Sequence, residues 1–328
     1  MSRRVAVAAL IVTSAALIMS SAALLPAAPK PAFSLGILRR DGILIPFAAF
    51  NGRDWSAPWP DSDTSVQLPI RLDDVPKKWW GPLPPAAAWT ALMVADGTQL
   101  PLKIEKPQQV RVFCEGRLGL LTDYKGAPVD SRAPGIPKDG LAAASVPDAL
   151  LIQPIVEVSL LSPDAKNLVK SLTEEFNTQE KAAAAQFTNW GHPYPKEERA
   201  AIPIELEALY RFREKSPAHG EWLISYVEAV RRFPARPEDN GCGLITYAHG
   251  WITEWPGKKP EFHLTARVTY CDREGVSFML PLGHLPLGSE NYWVYQMSSW
   301  RDEVYTVALV RPDEVRPVVT VFGGGCPK

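Results

Sequence analysis

The sequence predicts an α+β fold that is predominantly antiparallel β, and three observations carry that reading. Short apolar runs separated by turn residues recur along most of the chain. Thirty-two prolines and twenty-two glycines in 328 residues favour short strands and structured loops over long helices. Only the segment after Ser162 keeps a clear helical period over several turns.

In chain order, FSLGILRRDGILIPFAAF reads as a hairpin. Phe33–Leu38 and Ile43–Phe50 flank a turn in which Gly42 is free to take positive φ. WTALMVADGTQLPLKI repeats the pattern, with Trp89–Val94 and Gln99–Ile104 around Asp96-Gly97. Pro46 and Pro101 follow these turns at the same spacing, which expects each at a sheet edge or bulge. Val110–Tyr124 adds one or two strands. Residues 125–147, rich in Pro, Gly and Ala, read as a linker or long surface loop. Ser162 then caps a helix with Pro163 in its first turn, and Leu168, Val169, Leu172, Phe176, Ala183 and Phe187 form its apolar face. A second helix is expected over Ile204–Arg213, with Leu206, Leu209 and Tyr210 on its buried side. WLISYVEAVRRF reads as a strand. Beyond it come six strand-like runs, 244–253, 262–270, 276–282, 292–297, 304–310 and 315–322, whose short connections predict an antiparallel meander.

The implied organisation is a signal peptide at 1–28, a β-rich unit at 29–124, the linker at 125–147, and helices followed by sheet at 148–328. The signal reading rests on Arg3 and Arg4, an apolar stretch from Val5 to Met19 and small residues near Ser21–Ala23. Retention of Val5–Leu25 as an anchor is the competing reading. The chain is therefore expected to be secreted or periplasmic. Its alanine, proline and arginine content suits a GC-rich bacterial source. A formal net charge of −1 provides no global field for nucleic acid.

The segment CGLITYAHGWITEWPGKKPEFHLTARVTYC, 242–271, reads as a hairpin closed by Cys242 and Cys271. If these cysteines face each other, Tyr247 pairs with Ala266, His249 with Leu264 and Trp251 with Phe262. One face is then apolar and the other polar, and Phe278, Leu280 and Leu282 extend the apolar face into a third strand. A structural disulfide outweighs a metal or redox site, because Cys-x-x-Cys is absent and His263 falls several residues from the sulfurs. Cys114 and Cys326 are the second candidate pair, although four cysteines allow three connectivities.

No nucleophile elbow, zinc-protease motif, phosphate loop, dinucleotide fingerprint or EF-hand occurs. No cofactor and no metal are expected, and catalytic residues are unknown. Of the five histidines, His249 is expected on the core face, His192 and His219 in loops, and His284 in a strand-end loop. Asp61, Asp63, Asp73 and Asp74 lie near tryptophans and could serve glycoside hydrolysis, but acids in such sequence are more often turn formers. Eleven tryptophans are the enriched type. Trp55, Trp59, Trp79 and Trp80 lie in Pro-rich loop sequence, and Trp255 lies at the hairpin tip WPGKKP. These five are the ligand-contact candidates, set against core packing as the commoner role of tryptophan. The functional expectation is a non-catalytic binding or envelope-structural protein with glycan or envelope protein as partner. The alternative is an extracytoplasmic hydrolase of glycan or peptide with carboxylates near Trp59 and Trp80.

Overall fold

Among the described residues, three antiparallel sheets and one long helix stack in the order sheet, sheet, sheet, helix. The computed structural model describes residues 30–60, 71–84, 87–129, 136–145, 152–187, 192–216, 220–236 and 241–326. The expected signal peptide lies outside them.

The first sheet holds β1 (Phe33–Arg39), β2 (Ile43–Phe50), β3 (Trp55–Ser56), β4 (Trp89–Met93), β5 (Gln99–Leu102), β6 (Ile104–Val112), β7 (Glu115–Thr122) and β8 (Lys138–Ser145). Its order is β5-β4-β8-β1-β2-β7-β6, with β3 paired to β2. Both expected hairpins form, β1–β2 and β4–β5, and Gly42 takes φ +84° in the first turn. Pro46 sits beside a bulge in the β1–β2 pairing, and Pro101 lies on the edge strand β5. The stretch 125–147 is not all loop, because its residues 138–145 form β8, wedged between β1 and β4. An alanine run, Ala142 to Ala144, offered little apolar period to read, yet it suits a strand pressed between two neighbours.

After the short β9 (Val156–Glu157), α1 runs Pro163–Gln186 and α2 runs Lys196–Ala201. The Ser162 hydroxyl accepts from the Ala165 N–H at 3.1 Å, and Pro163 opens the first turn of α1. The expected second helix at 204–213 is instead β10 (Glu205–Ser216), paired along its length with β11 (Gly220–Arg232). Leu209 faces α1, whereas Tyr210 and Phe212 face the next sheet. A bulge between Leu206 and Ala208 disturbs the alternation. A strand with both faces partly covered and a bulge imitates a helical period, and sheet pairing overrides that local preference.

β12 (Leu244–Glu254) and β13 (Glu261–Tyr270) complete a five-stranded sheet, β13-β12-β11-β10-β9. β14 (Phe278–Leu287), β15 (Glu290–Ser298), β16 (Asp302–Arg311) and β17 (Glu314–Gly325) form a separate four-stranded meander. All six expected C-terminal strands exist, but they divide between two sheets. The turn 271–277 therefore leads across to another layer, and β14 does not extend the β12–β13 face.

The expected hairpin register is off by one residue. Tyr247 faces Arg267, His249 faces Thr265 and Trp251 faces His263. The alternate set, with Ala248, Ile252, Leu264 and Ala266, packs beneath α1. Both faces of β12 are covered, so segregation into one apolar and one polar face was the wrong criterion. Gly250 requires this pairing, since a Cβ there would lie 2.1 Å from the His263 carbonyl oxygen. The Cys242–Cys271 bridge still forms, with Cα atoms 5.2 Å apart, because Gly243 takes up the extra residue just beyond the last ladder pair.

The middle sheet is buried on both sides. Tyr292, Val294, Tyr305 and Val307 pack against Phe33, Ile45 and Phe47 of the first sheet. Trp293, Tyr295 and Ala308 pack against Trp222, Tyr226 and Trp251 of the third. Full burial of such side chains contributes about 1.5–3 kcal/mol each. α1 closes the stack over Leu209, Val227 and Ile252. Its buried Glu180 pairs with Arg231 and, at 3.5 Å, with Arg199.

Candidate functional site

The sequence-nominated tryptophans are mostly packing residues. Trp59 and Trp80 are only 3% and 4% exposed, and the Trp59 indole N–H donates to the Leu118 carbonyl at 2.9 Å. Trp79 is half-buried against Trp59. Trp55 is half-buried among Phe33, Phe50 and Tyr292, with ring centroids 5.1–5.5 Å away. The loops that carry Trp59, Trp79 and Trp80 fold back over the outer face of the first sheet, whereas Trp55 packs on its inner side toward the middle sheet. Trp255 is half-buried at the β12–β13 tip, stacked on Trp222 with Lys258 Nζ 4.7 Å above its ring. Asp61 and Asp63 lie outside the described residues. Asp74 closes a local turn by pairing with Arg71 at 3.1 Å, and Asp73 is exposed beside it. Of the histidines, His263 is exposed on β13 and His284 is buried within β14 instead of a loop.

The most exposed aromatic among the described residues is a different one. Trp300, 61% exposed, stands at the tip of the turn between β15 and β16. That turn is tightly held. Ser299 N–H donates to the Asp302 carbonyl at 2.9 Å, and Ser299 Oγ donates to Asp302 Oδ1 at 2.6 Å. Ser299 Oγ also accepts from the Arg301 and Asp302 N–H groups, and Cys326 N–H fixes the Arg301 carbonyl at 2.7 Å. An indole on so constrained a turn loses little entropy when it meets a ligand.

Behind the turn, the Cys114–Cys326 disulfide joins the β6–β7 tip to the end of β17. Phe113, next to Cys114, has φ +53°, a region that bulky residues rarely adopt. Arg111 Nε holds its carbonyl at 2.9 Å, and Cys114 N–H donates to Gly325 O at 3.1 Å. Backbone held in this conformation gathers at ligand clamps and active sites. Phe113, Trp300, Leu280 and Ile136 line one pocket of about 600 Å³ with Lys138, Gln296 and Glu303.

The pocket floor is polar but formally neutral. Lys138 Nζ donates to Glu303 Oε2 at 2.7 Å and to the Ile136 carbonyl at 2.8 Å, and Tyr305 OH donates to the other Glu303 oxygen. Burial lowers the Lys138 pKa, with the neighbouring Glu303 charge opposing that shift. Gln296 is 6% exposed; its Nε2 donates to Ser298 Oγ, while its buried Oε1 has no partner. A buried carboxamide with one end unpaired costs stability unless a ligand group meets it. A hydroxyl, donor and acceptor at once, satisfies that end in either orientation of the amide.

A second polar cluster lies between the third and middle sheets. Glu228, 4% exposed, accepts from the Met279 N–H at 2.7 Å. Burial pushes its carboxyl up to about 7, against the lowering effect of that N–H. Tyr226 OH lies 2.8 Å from His249 Nδ1, and burial lowers the His249 pKa, keeping the ring neutral. Among the described residues no group of three or more His, Cys, Asp and Glu is placed to hold a metal ion, and no helix is long and apolar enough to cross a membrane.

Comparison with known proteins returned no matching family model, no matching curated protein and no matching solved structure. Sequence reasoning missed Trp300 and Gln296 as site residues. A signal existed: MSSWRDE sets a tryptophan between two alternating apolar runs, where a tight turn carries it off both sheet faces.

Proposed function

We propose that this chain is an exported binding protein for a neutral, hydroxyl-bearing ligand with a flat apolar face, with glycan as the leading class. The observation that carries the reading is a pocket lined by the exposed Trp300 and by Gln296, whose buried Oε1 has no partner. Indole faces pack against sugar rings through their apolar C–H surface, and hydroxyls meet carboxamides. The cancelling Lys138–Glu303 pair favours a ligand without net charge. Export is supported by the N-terminal pattern, and the two disulfides are compatible with an oxidising compartment.

Titration with neutral glucan and N-acetylglucosamine oligomers, read by tryptophan fluorescence, tests the reading. Binding is expected to weaken at least about tenfold in Trp300→Ala, an exposed site whose loss leaves the fold intact. Gln296→Leu removes the unpaired amide, so stability should hold or rise while affinity falls. No response to any of these oligomers at millimolar concentration, or equal binding by both variants, would refute it. Export is tested by fusing residues 1–28 to a reporter active only outside the cytoplasm.

A further inference from the structure

Among the described residues β13 is the last strand of the third sheet, so one of its edges carries backbone N–H and C=O groups with no ladder partner among them. Natural edges are usually covered, bulged or shortened. This one extends over ten residues, from Glu261 to Tyr270, with no break in its pairing to β12. A groove of about 780 Å³ runs beside its second half, lined by Thr265–Tyr270, by Ala183 and Phe187 at the end of α1, and by Asp272 and Glu274 of the following turn. Glu261 and Arg267 are exposed on this strand, and neither forms an ion pair with another described residue.

We propose that the occupant of this edge is a second copy of the chain, paired antiparallel through β13 about a two-fold axis at Leu264. The strand is self-complementary in that register. With Leu264 opposite its symmetry mate, Glu261 falls opposite the partner's Arg267, and Arg267 opposite the partner's Glu261. Cross-strand partners share a face, and opposite charges placed so attract. On the α1 side, Phe262 falls opposite the partner's Ala266, which sets an apolar ring toward the groove wall formed by Ala266, Val268 and Phe187. Continuing past Pro260, the partner's Lys259 and Lys258 fall opposite Thr269 and Tyr270, at the start of the turn that bears Asp272 and Glu274. The charged pair and the apolar pair thus agree on one register, and a two-fold axis applies each of them twice. The product is a continuous sheet of two five-stranded halves, with the lysine-bearing hairpin tip beside its partner's acidic turn.

The test is charge reversal, read by light scattering on size-exclusion chromatography across a concentration series. The unmodified protein is expected to dimerise. Glu261→Arg sets like charges opposite each other at two positions and should weaken the dimer at least about tenfold. Adding Arg267→Glu in the same chain restores both pairs with the signs exchanged, and dimerisation should return. Both substitutions are at exposed positions, and circular dichroism checks that the fold is kept. Hydrogen exchange gives a second readout, since alternate β13 amides should slow as concentration drives pairing. An unmodified protein that stays monomeric at all concentrations, with β13 amides exchanging as a free edge, would overturn the proposal. So would a dimer that the single reversal leaves unchanged, or one that the double reversal does not rescue.

Discussion

Replacing Glu228 by glutamine is expected to stabilise the protein at alkaline pH while leaving it nearly unchanged in acid. The carboxyl lies between two sheets, 4% exposed, and burial pushes it up to about 7 from the usual 4.5. A raised carboxyl pKa means that the folded state holds the proton more tightly than the unfolded state does. The favourable contribution is fully present below pH 4.5 and is lost as the pH climbs through 7. The span from 4.5 to about 7, at 1.36 kcal/mol per pH unit, is worth about 3 kcal/mol. Glutamine retains an oxygen for the Met279 N–H, 2.7 Å away in the parent protein, and never ionises. Urea unfolding of both proteins at pH 4, 6 and 8 should therefore give curves that coincide in acid and separate by about 3 kcal/mol at pH 8, the variant being the more stable. A difference that stays constant with pH, or a parent that gains on the variant as pH rises, would refute this account of the site.

Three other outcomes follow from the packing. Glu180→Ala strands the buried Arg231 and Arg199 guanidinium groups under α1, and chemical denaturation should show a loss of about 3–5 kcal/mol. Serine replacement of Cys114 and Cys326, which close a 212-residue separation, should cost about 5 kcal/mol by chain entropy, against about 3.5 for the 29-residue Cys242–Cys271 pair. Unfolding of the two double variants checks that order. Ser162→Ala removes the hydroxyl that caps α1 and should cost about 1 kcal/mol, measured the same way.

Legibility in the sequence followed how local each cause was. The Gly42 hairpin, the Ser162 cap and the α1 face were all readable, because a turn, a cap and a helical stripe are set by residues a few positions apart. β10 was misread because its two partly covered faces and its bulge removed the alternation that marks a strand. The β12–β13 register was misread because the polar residues of β13 stand opposite the aromatic residues of β12. The pocket was not legible as a site. Phe113, Gln296 and Trp300 come from two hairpins far apart in sequence, and the disulfide that ties the first of them to the end of β17 has a pairing that four cysteines leave open.

The sequence by itself determined that the chain would be mostly antiparallel β with one long capped helix, since turn chemistry and side-chain periodicity act within a few residues. It also supplied a four-cysteine framework and favoured the Cys242–Cys271 pair, while the structure settled the pairing of Cys114 with Cys326. Only the tertiary structure decided how the C-terminal strands divide between two sheets and which of the described tryptophans stays open. Sheet membership depends on what covers each face, and exposure depends on whether a distant loop folds back over a ring. Loops cover Trp59 and Trp80, and nothing described covers Trp300.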